Sequence, residues 1–358
     1  MNKKIAIDAR MIEFSGIGTV IKNVLKRLPF FMPRTTFYLL GNENTFRKYS
    51  YLSRPNVIFI QCNCPIYSIK EQLELIHKIP ADTDLLWIPH YNIPVFYRGK
   101  ILVTVHDVFH LDMPQYIDGF LKKIYAHVMF RALARKATKV ICVSEFTEKR
   151  LYEHTNISLS KVTVVYNGVD KFWQMPLKIE KRIFTKPYIL CVGNVKPHKN
   201  LKTLVLAFQS IMHKIPHTLV IVGRKEGFIT SDSEIVELSQ KLGSRIRFTG
   251  YISDEELKNY YHFADLFIFP SLYEGFGLPP LEAMATGCNN ILCSDIPVLT
   301  EIYGNYVKYF DVYNPNDLAL KILNQLKVVY NVSSKDLISK LSWDETAYRY
   351  LKIINSIL

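Results

Sequence analysis

The sequence predicts an α/β protein made of two doubly wound domains of similar size, facing each other across a cleft. Three observations predict it. Short apolar runs alternate with segments of helical period through most of the chain, and such alternation implies parallel sheets covered by helices. The alternation lapses near Lys171–Pro187 and then restarts. Glycines crowd the loops that follow several of the runs, where open α/β sheets bind their ligands.

In the first half, Lys3–Ala9, Asn56–Ile60, Leu85–Ile88, Ile101–Val105, Lys139–Val143 and Val162–Val165 read as strands, and Ile69–Ile79 and Gly119–Lys136 as helices. The stretch KFWQMPLKIEKRIFTKP, Lys171–Pro187, has no clear period and two prolines, and reads as the interdomain linker. Strands resume at Tyr188–Val192, Thr218–Val222, Arg245–Phe248, Asp265–Phe269, Asn290–Cys293 and Val307–Phe310. Helices fall near Asn200–His213, Asp254–Phe263, Pro280–Thr286 and Asp317–Tyr330. The closing SWDETAYRYLKIINSIL opens on a capping residue and continues as an amphipathic helix. The expected division is 1–172, 173–340 and a C-terminal helix, 341–358.

Composition narrows the class. Hydrophobic residues are 49% of the 358, too many for disorder, and no uncharged run approaches the roughly 18 residues of a membrane span. Asp8 and Arg10 interrupt the N-terminal apolar run too early for a signal peptide, so a cytoplasmic protein is expected. Cys142, Cys191 and Cys293 sit in apolar runs, and Cys62-x-Cys64 is neither a zinc knuckle nor a redox C-x-x-C. The net charge is +13, and residues 1–172 hold 24 basic against 14 acidic residues. That imbalance points to an anionic partner. Nucleic acid is the weakest candidate, because no zinc-finger spacing, RNA-binding signature or basic tail is present. A lysine-rich composition without functional meaning is the alternative.

Four motifs carry the chemistry. Pro270–Gly287, PSLYEGFGLPPLEAMATG, follows the strand-like DLFIF and sets Glu274 and Glu282 with seven residues between them. Its glycines allow close backbone approach, and Pro279 and Pro280 suit a helix start. The opening dipole of that helix favours an anion. Glu274 is expected in the loop and Glu282 in the first helical turn, where carboxylates can accept hydrogen bonds from sugar hydroxyls. Dipole compensation by Glu282 and a solvated Glu274 is the alternative. In Val192–Leu201, VGNVKPHKNL, Lys199 stands at a helix start, an unfavourable place for a lysine unless an anion is bound. Ser15-Gly16-Ile17-Gly18 reads as a close-approach loop. Position 21 is Ile, so the third glycine of a dinucleotide fingerprint is missing and no nicotinamide or flavin is expected. His106-Asp107 closes the strand ILVTV and could orient a substrate. Asp82-Thr83-Asp84 precedes a strand rather than following one, and reads as a turn rather than a metal site.

Taken together, these segments resemble the retaining glycosyltransferases of family 4, which have the GT-B fold of two Rossmann-like domains. The resemblance is strongest over Tyr188–Glu301, through YILCVGNVKPHKNL, FTGYISDEELKNYYHFADLFIFPSLYEGFGLPPLEAMATG and SDIPVLTEIYG. It is thinner in the first half, through GIGT, VHDVFH, VSEFT and VYNGVD. It implies a nucleoside-diphosphate sugar as co-substrate, with no cofactor and no metal. Glu282 would bind the ribose hydroxyls. Glu274 would contact the sugar, with the backbone of Gly275, Phe276 and Gly277, and Leu278 would lie in the same donor-binding loop. Lys199 would neutralise the diphosphate, and Gly16 and Gly18 would approach the phosphates. His106 would bond the sugar near the reaction centre, and Gly250, Tyr251 and Ile252 would flank the base. Asn194, after Gly193, stands where many members carry a diphosphate-binding arginine, which makes His198, Arg224 and Lys225 candidates to share that task.

The VGN…KPHKN pattern is similar to that of bacterial mannosyltransferases, so GDP-mannose comes first as donor, then UDP- and dTDP-sugars. A glycan or lipid-linked glycan acceptor, in surface-polysaccharide or lipopolysaccharide synthesis, would meet the N-terminal domain. The basic segment Phe120–Lys139 implies peripheral contact with an anionic membrane at its inner face; a helix simply packed on its own sheet is the alternative. A nucleotide-sugar epimerase or phosphorylase of similar architecture, or a non-catalytic sugar-nucleotide or membrane-binding module, are the competing readings.

Overall fold

The computed structural model describes residues 2–223, 242–328 and 333–358. The chain divides into two compact units, Met1–Gly168 with Leu341–Leu358, and Val169–Lys340. Each is built on one parallel sheet.

The first sheet holds β1 (Lys4–Asp8), β2 (Thr36–Gly41), β3 (Val57–Gln61), β4 (Leu85–Ile88), β5 (Ile101–Val105), β6 (Lys139–Cys142) and β7 (Val162–Val164), in the order β3-β2-β1-β4-β5-β6-β7. The second holds β8 (Tyr188–Val192), β9 (Thr218–Val222), β10 (Ile246–Gly250), β11 (Leu266–Phe269), β12 (Ile291–Ser294) and β13 (Lys308–Phe310), in the order β10-β9-β8-β11-β12-β13. Both are doubly wound. The strand order reverses between β1 and β4 in the first and between β8 and β11 in the second. Central strands such as ILVTV of β5 and TLVIV of β9 are buried along their whole length, as strands covered by helices on both faces must be.

Two elements differ from the sequence reading. The strand β2, TFYLLG, was not expected; it follows the apolar Phe30-Phe31 closely, and only its in-register pairing with β1, Lys4 opposite Thr36, fixes where it begins. Residues Ser15–Leu25 form a helix, so Gly16 and Gly18 lie in its first turn rather than in a loop. A Cβ on Gly18 would come within 2.3 Å of the Ile12 carbonyl oxygen, whereas one on Gly16 would meet nothing within 4 Å. Packing against its own approach loop therefore explains Gly18, and Gly16 alone of the two leaves open space.

The segment Lys171–Pro187 lies on unit 2. Lys258 Nζ donates to the Phe172 carbonyl at 2.5 Å, and Asn259 Nδ2 donates to those of Ile179 and Lys181. These bonds give an aperiodic segment the partners its backbone needs. The helix Trp343–Ile357 belongs to unit 1. Its Trp343 and Tyr350 are buried, and the Tyr350 hydroxyl meets that of Thr104 at 3.0 Å. A Cβ on Gly168 would fall 2.2 Å from the Ser342–Trp343 backbone, so the two segments that join the units cross at a glycine.

Candidate active site

The carboxyl ends of β8 and β11 flank the reversal of strand order in unit 2, the usual ligand crevice of a doubly wound sheet. The loop after β8 makes a single turn, Pro197–Lys199, then Asn200 at φ +54, then the helix Leu201–Ile211. Lys199 thus precedes the helix by a residue. The loop after β11 runs through Ser271–Gly277 to the helix Leu278–Ala285. The sequence offered these loops as separate motifs, and the fold joins them. The Leu272 N–H donates to the His198 carbonyl at 2.8 Å, and Lys199 Nζ donates to Glu274 Oε1 at 2.5 Å over the Phe269 ring. The ion pair is largely shielded, with side-chain exposures of 22% and 14%.

Gly277 caps the helix at φ +86, and a Cβ there would press to 2.8 Å on Leu299 and 3.3 Å on Phe269. Its carbonyl accepts a hydrogen bond from the Tyr303 hydroxyl. Because Pro279 and Pro280 have no N–H, only Leu278 and Leu281 of the first four helical residues offer amides. The anion-binding capacity of this terminus therefore comes chiefly from its dipole. Phe276 is buried.

Glu282 is the fifth residue of the helix, beyond the first turn where the sequence placed it. Leu278, not Pro280, opens the helix. Burial pushes the Glu282 carboxyl up to about 7, against the opposing hydrogen bond from the Tyr261 hydroxyl at 3.3 Å. Tyr261 and Tyr303 are fully buried, and neither was singled out in the sequence. Their only sequence signals are tyrosines on helices, which as often mean ordinary core.

Gly193, Gly223 and Gly250 converge at the ends of β8, β9 and β10. The Gly193 N–H donates to Val222 and the Gly223 N–H to Gly250. A Cβ on Gly223 would lie 2.0 Å from the Gly193 carbonyl oxygen and 3.4 Å from the Asn194 Cα. Gly223 is therefore a residue the sequence reading missed; its signal was a glycine directly after the strand TLVIV. Asn194 is partly buried, Ile252 likewise, and Tyr251 is 75% exposed. Burial, then Lys199 and Lys196, push His198 down to about 3. Arg224 and Lys225 lie outside the described residues.

In unit 1, His106 follows β5, with Nε2 2.9 Å from the Pro89 carbonyl oxygen, so that nitrogen carries the proton and Nδ1 is the acceptor. Burial pushes the ring down to about 4, and it is neutral. Asp82 pairs with Lys4 Nζ, and Asp84 accepts the Lys4 N–H at 2.8 Å. Both serve the start of β1, as a turn before a strand should. All six cysteines are free and buried.

A family profile described as Glycosyltransferase Family 4 matches residues 15–171, and one described as Glycosyl transferases group 1 matches residues 177–328. The chain belongs to glycosyltransferase family 4. It is a hexosyltransferase of the GT-B fold. This glycosyltransferase is 29% identical over 266 residues to the O-antigen chain mannosyltransferase RfbU of Salmonella typhimurium, covering 73% of this chain and 70% of that one. It is 27% identical over 290 residues to the serotype-specific mannosyltransferase WbdA of Escherichia coli, covering 76% of this chain but 32% of WbdA. Its fold matches that of Anabaena Alr3699/HepE, solved in complex with UDP and glucose, with TM-score 0.76 and 17% identity over 99% of this chain and 100% of that one.

Proposed function

We propose that this glycosyltransferase moves a hexose, with retention of configuration and without a metal, from a nucleoside-diphosphate sugar to a glycan or lipid-linked glycan acceptor in surface-polysaccharide or lipopolysaccharide synthesis. The observation that carries the proposal is the Lys199–Glu274 pair joining the two loops at the strand reversal of unit 2. The names of RfbU and WbdA favour mannose and hence GDP-mannose as donor; the UDP complex of HepE keeps UDP-sugars next.

The chemistry follows from charge. Departure of the diphosphate leaves an oxocarbenium-like sugar and a growing negative charge. Lys199 and the dipole of the helix Leu278–Ala285 face that charge, and preorganised stabilisation of a leaving group is the largest catalytic term such a site can supply. Glu274 holds Lys199 in place until the donor arrives, then turns to sugar hydroxyls. Glu282, fixed by Tyr261, accepts the ribose hydroxyls. Gly16 approaches the diphosphate, His106 donates to or accepts from the hexose, and Gly250–Ile252 flank the base. The donor phosphate itself takes the acceptor's proton, which keeps departure and attack on one face.

A membrane surface is the proposed setting, at the cytoplasmic side. Among the described residues no helix is long and apolar enough to cross a bilayer. The helix Phe120–Lys136 buries Ala126, Met129, Phe130 and Leu133 on its own unit, yet leaves Phe120, Leu121, Ile124 and Val128 exposed. Lys122, Arg131 and Arg135 are exposed on the same helix. A second apolar stripe among cations fits the interface of an anionic membrane.

The deciding experiment is thermal stabilisation by GDP, UDP, dTDP, ADP and CMP, with and without EDTA. A ligand of the native state raises the melting temperature by mass action. One diphosphate should shift it, EDTA should leave the shift unchanged, and Glu282→Ala should abolish it. A shift that EDTA removes refutes the metal-free site, and no shift with any of them refutes the donor assignment.

A further inference from the structure

The reversal of strand order in unit 1 lies between β1 and β4, and charge fills it. Asp8 ends β1. Arg10 bonds Asp8 Oδ2 at 2.6 Å, Glu71 Oε1 at 2.5 Å and the Cys64 carbonyl at 3.0 Å. His90 Nε2 lies 3.1 Å from Asp8, and Asn92 Nδ2 donates to Glu71 Oε2 at 2.5 Å. Asp8, Glu71, His90 and Asn92 are all buried. Asp8, Glu71 and His90 have the spacing of a cation site, but the Arg10 guanidinium bonds both carboxylates, so the cluster acts as a strut rather than a ligand pocket.

What it supports is Tyr67. The Tyr67 N–H donates to Glu71 Oε2 at 2.8 Å, and the residue is held at φ +63. The other non-glycine residues with positive φ among those described are Asn156 and Asn200, a type that tolerates this region. A bulky aromatic there is a genuine outlier and costs about 1–3 kcal/mol. The strained backbone does not bury the ring, which is 43% exposed. The Tyr67 ring stacks on Tyr91 at 5.6 Å, and Tyr91 stacks on the buried Phe130 at 4.4 Å. Three rings thus run from the core to a half-bare face.

The surroundings indicate what that face meets. The His90 ring lies 6.2 Å from that of Tyr67, and His106 is bonded to the carbonyl of Pro89, the residue before His90. An aromatic face is electron-rich. A pyranose presents one face of weakly positive C–H groups ringed by hydroxyls. We propose that Tyr67 is the platform on which a pyranose ring of the acceptor glycan stacks. The proposal rests on the glycosyltransferase reading and adds to it the side chain that would receive the acceptor.

The test is saturation-transfer NMR on the full chain with the methyl pyranosides of mannose, glucose, galactose, N-acetylglucosamine and rhamnose. At least one should take up saturation on its ring C–H protons. Tyr67→Phe should keep that signal, and Tyr67→Gly should reduce it about two- to twelvefold, since an aromatic stacking contact is worth about 0.5–1.5 kcal/mol. Glycine accepts φ +63 without strain, so removal of the ring leaves the fold sound; Tyr67→Asn is the second variant with the same expectation. No signal from any pyranoside, or an undiminished signal in the glycine or asparagine protein, overturns the platform. If the nucleoside-diphosphate shift persists in that case, only the platform has failed. If that shift is absent from the wild type, the donor assignment has failed.

Discussion

Lys199, Glu274 and Glu282 show how much a residue's neighbours decide. Lys199 and Glu274 neutralise each other, so removing either leaves the other's charge shielded and unmatched. Lys199→Ala and Glu274→Ala should each lower kcat by about 10²–10³-fold, the usual effect of losing a preorganised electrostatic contact, and steady-state kinetics on the identified donor will measure it. Glu282 gives a pH prediction. Its native carboxyl is raised from 4.5 to about 7, so the native state holds a proton that the unfolded state has released. Stability must fall as pH rises from about 4.5 to 7 and level off above. His106 and His198, depressed to about 4 and about 3, act oppositely and gain stability up to about 6.5. The difference between wild type and Glu282→Gln isolates the carboxyl: melting curves should show the variant gaining on the wild type as pH rises to 7. The nucleotide-induced shift of the wild type should grow from pH 6 to 8, as the carboxylate proposed to accept the ribose hydroxyls forms, while the variant's shift stays flat. The types at these positions were legible from charge and hydroxyl chemistry. The Lys199–Glu274 bond was not, because 75 residues separate the partners.

At the scale of elements, glycines separate packing from function. Gly16→Ala meets open space in a helix and should leave the melting temperature unchanged or slightly raised. A loss of donor turnover in that stable protein would place a ligand at Gly16. Gly18→Ala must displace the Ile12 carbonyl, and should cost several degrees of melting temperature. Gly277→Ala combines positive φ with a 2.8 Å contact, and should lose about 1–3 kcal/mol in denaturant titration. Strands β4, β5, β8 and β9 were legible to the residue because unbroken apolar runs bounded by polar residues can only be covered strands. The helix Ser15–Leu25 was not, because two glycines in its first turn lower its propensity and packing on Ile12 overrides them.

For the whole molecule, the C-terminal helix is the test of integrity. Trp343, Tyr350 and Ile354 are buried in unit 1 although they end the chain. Deleting 341–358 should expose that core and abolish the cooperative melting of unit 1, read by calorimetry. The exposed stripe of Phe120–Lys136 should carry membrane binding. Phe120→Glu with Leu121→Glu should leave melting unchanged, since both side chains are more than three-quarters or nearly so exposed, and should abolish sedimentation with vesicles of anionic lipid. Wild-type binding should weaken as salt screens the cationic part.

The sequence by itself determined the α/β class and the parallel sheets, and it marked the glycine-bearing loops at the strand ends. These depend on local period, strand-end glycines and residue types, all of which act over a few residues. Only the tertiary structure decided that Lys199 meets Glu274, that Tyr261 fixes Glu282, and that a buried arginine cluster holds Tyr67 in a left-handed turn. Each is a contact between segments far apart in the chain. Its energy comes from burial and charge pairing at the reversal of strand order, a place that exists only once the sheet has formed.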